Sequence, residues 1–191
     1  MKEGAIQPGT ELLLQVQQNN GQALAALMQL FYNDLYSYAI KFTNDQALIK
    51  DCIQEVFISL WQRRETANMI LSPKYYLLRA TKNKVLKALY KNIKNSSLAN
   101  LHDEYDFFYE YSVEEVIIEK QISDEKASKL RKTLLLLSKK QKEIIYLKYY
   151  QDLDHGQIAE LMNINRQSVY NLLHEAMHKL KKLLQDDFVT Q

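Results

Sequence analysis

Two sets of side chains near the C-terminal end could do chemistry, and they share residues. His174-Glu175-Ala176-Met177-His178 spells H-E-x-x-H, in which two imidazoles one helical turn apart can hold zinc beside a carboxylate base. Such a centre needs a third protein ligand. Downstream the chain continues Lys179-Leu180-Lys181-Lys182-Leu183-Leu184-Gln185-Asp186-Asp187, with no further His or Glu, and lysines beside a dication are unfavourable. The match is therefore read as chance, and no metal or other cofactor is expected. The other set is Arg166, Gln167, Tyr170, Asn171 and His174. These are types that read base edges and grip phosphates in a DNA major groove.

A third set lies earlier. The 37 residues between Glu65 and Asp103 contain no acid, yet they hold Lys74, Arg79, Lys82, Lys84, Lys87, Lys91 and Lys94. At about 100° per residue, Lys84, Lys87, Lys91 and Lys94 fall in one helical stripe, away from Leu78, Val85 and Leu89. Tyr75 and Tyr76 open this helix and Asn83 interrupts it. Lysines neutralise phosphates, aromatic rings stack on unpaired bases, and an amide can bond a base edge. A merely solvated lysine face is the bland alternative, and the long acid-free interval argues against it.

The elements that must position these groups are helices. Leu24, Leu27, Met28, Phe31, Leu35 and Tyr38 recur at three and four, as do Ile53, Val56, Phe57, Leu60 and Trp61. Ser72-Pro73 is a helix start, and Ser138-Lys139-Lys140-Gln141 and Asp154-His155-Gly156-Gln157 fit the capping box. From Asp154 to Leu172 the pattern is that of a helix-turn-helix. Ile158 and Met162 share a face, Ala159 permits close crossing, and Asn163 suits a left-handed turn. Ile164 plugs the corner, Asn165 caps the second helix, and Val169, Leu172 and Ala176 pack inward. A polar helical hairpin with no ligand is the competing reading, and the aligned turn and cap favour DNA.

Composition narrows the field further. With only Gly4, Gly9, Gly21 and Gly156, neither G-x-x-x-x-G-K-[ST] nor G-x-G-x-x-G can be written, which excludes both families of nucleotide-cradling enzyme. The lone Cys52 excludes an internal disulfide. No basic segment followed by an apolar one opens the chain, and the uninterrupted Leu134–Leu137 run is far too short to span a bilayer, so a cytoplasmic protein is expected. Residues 1–95 hold 12 basic and 7 acidic side chains, residues 96–126 hold 2 and 9, and residues 127–191 hold 11 and 7. The expected fold is all-α. Two small helical domains, 1–95 and 127–191, are joined by an acidic linker, 96–126, in which Ser112 to Glu125 could form a short helix.

Several separated motifs, in order, give the chain a resemblance to the sigma-70-type sigma factors of bacterial RNA polymerase, specifically the small extracytoplasmic-function (ECF) group. It spans roughly residues 20–95 and 127–185. Asp51-Cys52-Ile53-Gln54-Glu55-Val56-Phe57-Ile58-Ser59-Leu60-Trp61 matches the family's D-x-x-Q-[ED]-x-F-x-x-[LF]-W core-binding helix. Tyr76-Leu77-Leu78-Arg79-Ala80-Thr81-Lys82-Asn83 follows it, and Leu137-Ser138-Lys139-Lys140-Gln141-Lys142-Glu143 matches the motif opening the second domain. The pattern departs at Lys87 and Tyr90, where Asp and Arg are common, and at Glu175, where Arg is common.

The resemblance implies a region 2-like first domain that binds core polymerase through Asp51, Gln54, Glu55, Phe57, Leu60 and Trp61. It implies that Tyr75, Tyr76, Arg79, Asn83, Lys84, Lys87 and Lys91, with the loop before Ser72, hold the melted −10 element. A region 4-like second domain would set Arg166, Gln167, Ser168, Tyr170, Asn171 and His174 into the double-stranded −35 element. The linker would run through the polymerase cleft, an anti-sigma protein would restrain the chain, and the protein would catalyse nothing and take no small-molecule substrate. A polymerase-independent helix-turn-helix regulator is the alternative, but it leaves the Asp51–Trp61 pattern unexplained. A helical adaptor that binds only proteins leaves the two cationic blocks unexplained.

Overall fold

The computed structural model describes residues 8–90, 107, 130 and 132–186, with side chains described as far as Lys182. The fold is all-α as expected, and among the described residues there is no strand. The chain divides into two compact units, Met1–Tyr105 and Asp106–Gln191. Apart from Phe107, the expected acidic linker lies outside the described residues, as do its suggested helix, Lys91 and Lys94. No described helix is long and apolar enough to cross a membrane.

The first unit contains α1 (Thr10–Gln17), α2 (Gly21–Ala39), α3 (Gln46–Gln62), a 3₁₀ turn (Arg64–Met69) and α4 (Pro73–Tyr90). Each start has a local cause. Gly9 takes a left-handed φ of 87° before α1, and a Cβ there would fall 2.8 Å from Phe31 Cε2, so both backbone and space call for glycine. Asn20 accepts from the Gln22 and Ala23 amides, Asp45 accepts from the Leu48 amide, and Pro73 opens α4. Leu27, Phe31, Leu35 and Tyr38 of α2 are buried at the predicted spacing. They meet α3 and α4, which also pack against each other, while α1 covers α2 and the 3₁₀ turn.

The second unit contains α5 (Lys139–Ile145), a π-helical segment (Tyr146–Tyr150), α6 (His155–Met162) and α7 (Arg166–Asp186). Both predicted capping boxes are present. Ser138 and Gln141 exchange backbone bonds at the start of α5, and Asp154 and Gln157 do so at the start of α6. Glu143, the end of the motif that opens this domain, is buried, so part of that motif builds the core. The π segment is not foreshadowed by the residue pattern. There the Gln151 amide reaches Tyr146 O at 3.1 Å, five residues back, and the Gln151 side chain donates to the buried Tyr146 hydroxyl at 2.8 Å. Phe107, 3% exposed, packs beside the Tyr146 ring at 6.3 Å.

Candidate nucleic-acid interface

In the second unit, local backbone chemistry sets up a polar helix face. Asp154 Oδ1 accepts from the Gly156 and Gln157 amides and starts α6. The helix ends at Asn163, which holds φ 53° and ψ 46°, the left-handed turn that its residue type suits. The Ile164 amide closes back on Ala159 O at 2.9 Å. Asn165 Oδ1 then accepts from the Ser168 amide at 2.7 Å and starts α7. Ala159, Val169 and Ala176 are buried at the crossing, while Leu172 and the corner residue Ile164 are half-buried.

The opposite face of α7 is open. Arg166, Gln167, Tyr170, Asn171 and His174 are exposed, and Ser168 is half-buried beside its cap. Gln167 Nε2 donates to Asn171 Oδ1 at 3.0 Å, which aligns two amides one turn apart. Tyr170 stands edge-on to His155 with ring centroids 4.4 Å apart. The His174 and His178 rings are 6.4 Å apart on the exposed side, and among the described residues no group of three or more His, Cys, Asp or Glu could hold a metal.

The basic run of the first unit is less uniform than its composition implies. Lys82 is 1% exposed, with Nζ over the Phe42 ring at 5.7 Å, so it belongs to the core. Lys74 Nζ meets Asp34 Oδ2 at 3.0 Å, and Lys84 Nζ meets Glu55 Oε2 at 2.7 Å. Arg79 and Lys87 are exposed, and Arg79 donates to the Tyr75 hydroxyl at 3.3 Å. Tyr76, Asn83, Lys84 and Lys87 share an open concavity of about 300 Å³ with Ser59 of α3 and Arg63, the residue that ends that helix. Ser59 and Arg63 were missed from sequence. Their spacing after Val56 puts them on the α3 face toward α4, which becomes a signal only once the pairing of the two helices is known.

The core-binding set divides likewise. Asp51, Gln54 and Glu55 are exposed, and Trp61 is half-buried with the Arg64 guanidinium 4.9 Å from its ring centre. Phe57 and Leu60, at 3% and 1% exposure, correct the sequence-based set, because they lie in the core and present no surface to a partner. They share the inward three-and-four spacing with Ile53 and Val56, so they hold α3 in place. Cys52 lies between the two exposed acids. Burial first, and the Glu55 charge second, push its thiol above the ordinary value, away from the reactive thiolate.

Two helical units, one of them a helix-turn-helix with an open polar face, have the geometry of a DNA-binding protein. A Sigma-70 region 2 family model matches residues 27–93, and a Sigma-70 region 4 model matches residues 127–180. The chain is similar to the ECF RNA polymerase sigma factor SigL of Mycobacterium tuberculosis, with 26% identity over 183 residues, covering 88% of this chain and 95% of the relative. The same relative is matched in three strains. In fold it is similar to CnrH, solved in complex with the cytosolic domain of CnrY, with a TM-score of 0.53 and 19% identity, covering 94% of this chain and 98% of that one. The chain belongs to the sigma-70 family, in its ECF group, and functions as a promoter-directing sigma factor.

Proposed function

We propose that the two units divide the promoter between them. The second unit reads the −35 element in the major groove with Arg166, Gln167, Ser168, Tyr170, Asn171 and His174. The carrying observation is that these positions sit at the start of the second helix of a fully capped helix-turn-helix and, apart from half-buried Ser168, stand exposed. The first unit holds the −10 element as a single strand on α4. Tyr75 and Tyr76 supply stacking surface, Asn83 an amide, and Arg79, Lys84 and Lys87 supply charge. The concavity between α3 and α4, lined by Tyr76, Asn83 and Arg63, suits an unpaired base with its phosphate against the cations. Lys91 belongs to this proposed set by sequence alone.

Core polymerase binds the exposed edge of α3 at Asp51, Gln54, Glu55 and Trp61, with Phe57 and Leu60 supporting that edge from within. The acidic segment 96–126 joins the two domains and runs through the polymerase cleft. The likeness to CnrH, solved with a partner domain, supports an anti-sigma protein that restrains this chain. The chain itself performs no bond-making step, and it works in the cytoplasm. The test is reconstitution with core RNA polymerase on a promoter-fragment library. Defined start sites that depend on this chain are the expected result. Failure to co-purify with core in mild salt, with no inhibitor present, would refute the reading.

A further inference from the structure

The recognition helix has support from a turn that the proposed contact set leaves out. Tyr170 is 53% exposed, so its own helix restrains it little. Its ring nevertheless meets His155, the first residue of α6, at 4.4 Å between centroids and 74° between planes. That is a close edge-to-face pair, just under the usual separation of about 4.5–7 Å. His155 is half-buried and set at the helix start by the Asp154 cap, so it offers Tyr170 a fixed wall.

The next residue does the same for Arg166. Gly156 lies in ordinary helical backbone, where glycine is a poor choice relative to alanine. Its position makes sense in space: a Cβ there would fall 3.0 Å from Arg166 Nη2 and 3.1 Å from the capping Asp154 Oδ1. A methyl group there would press on the guanidinium and shift it by a few tenths of an ångström, so the bare backbone leaves that placement open. Of two consecutive residues of one turn, His155 meets Tyr170 and Gly156 leaves space beside Arg166, two side chains of α7 that stand four positions, about one turn, apart.

We propose that His155 and Gly156 are positioning residues for promoter reading, His155 for the Tyr170 ring and Gly156 for the Arg166 guanidinium. The two recognition side chains then meet DNA in one relative placement, and their rotamers are restricted before binding. This inference rests on the reading of α7 as the −35 helix.

The test uses holoenzyme assembled from full-length chains and core polymerase, selecting from promoter DNA randomised across the −35 element. Tyr170→Ala and Arg166→Ala identify the base positions that each side chain governs. His155→Ala is expected to weaken preference at the Tyr170 positions by about two- to tenfold, the worth of one aromatic pair. His155→Phe should restore that preference, and the double variant His155→Ala with Tyr170→Ala should lose no more than Tyr170→Ala alone. Gly156→Ala should shift preference at the Arg166 positions only.

An even loss over all positions in His155→Ala, with a shallower salt dependence and no rescue by Phe, would make His155 a phosphate contact and overturn the proposal. The proposal falls equally if Tyr170→Ala alters base preference and His155→Ala leaves it intact. If Tyr170→Ala and Arg166→Ala both leave base preference unchanged, the reading of α7 falls as well. A thermal melt of each full chain separates misfolding from misplacement, and the Phe variant keeps the test decisive if the Ala variant is unstable.

Discussion

Residues 1–95 and 127–191 carry similar excesses of positive charge and deploy them differently. In the first, Lys74 is held by Asp34, Lys84 by Glu55, and Lys82 lies inside the core. Much of the basic run is therefore woven into the fold. In the second, the polar face of α7 stands open, and the caps beneath it keep its backbone in place. A cation engaged with a carboxylate must exchange that partner for a phosphate, whereas an exposed one gives up only water and counterions. Charge counted from sequence overstates what α4 has ready for DNA.

The largest expected effect comes from the layer beneath α4. Leu78→Ala, at a site with no exposure, should destabilise the chain by about 2–5 kcal/mol in chemical denaturation. Arg166→Ala should instead leave the melt unchanged and remove about 1–3 kcal/mol of discrimination between a selected and a scrambled −35 site. A stability loss in the second variant as large as in the first would end the distinction between a framework and a face.

Next comes the cap of α6. Asp154→Ala should lower stability by about 0.5–2 kcal/mol, because two amides lose their acceptor. A spectroscopic melt measures it, and an unchanged midpoint would mean the helix-turn-helix does not depend on that cap. The smallest effect belongs to the Lys84–Glu55 pair. Both side chains are partly exposed, so a double-mutant cycle should give a coupling of only about 0.2–1 kcal/mol. In promoter assays Lys84→Ala and Lys87→Ala should reduce open-complex formation more than closed-complex binding, with the larger loss at Lys87. Equal loss at both stages would make α4 a general phosphate contact.

The parts legible in the sequence share a short range. Both capping boxes, the Asn163 turn, the Asn165 cap and the Pro73 start each depend on residues within about one helical turn, so spacing alone reveals them. The three-and-four periods marked the inward faces of α2 and α3. That same pattern could have removed Phe57 and Leu60 from the partner surface, because their spacing points inward even though the motif selects them by residue type. The π segment escaped because a one-residue widening of the helical turn leaves little trace in composition.

The amino-acid order by itself determined the helices, their ends, the helix-turn-helix and the family motifs, because each is written in neighbouring residues. Tertiary structure alone decided which charges are free and which side chains are braced. Lys84 finds its carboxylate 29 residues away, Lys82 turns from α4 into the core, and Tyr170 meets the first turn of α6. Those outcomes depend on how helices cross, and crossing is set by the packing of whole faces.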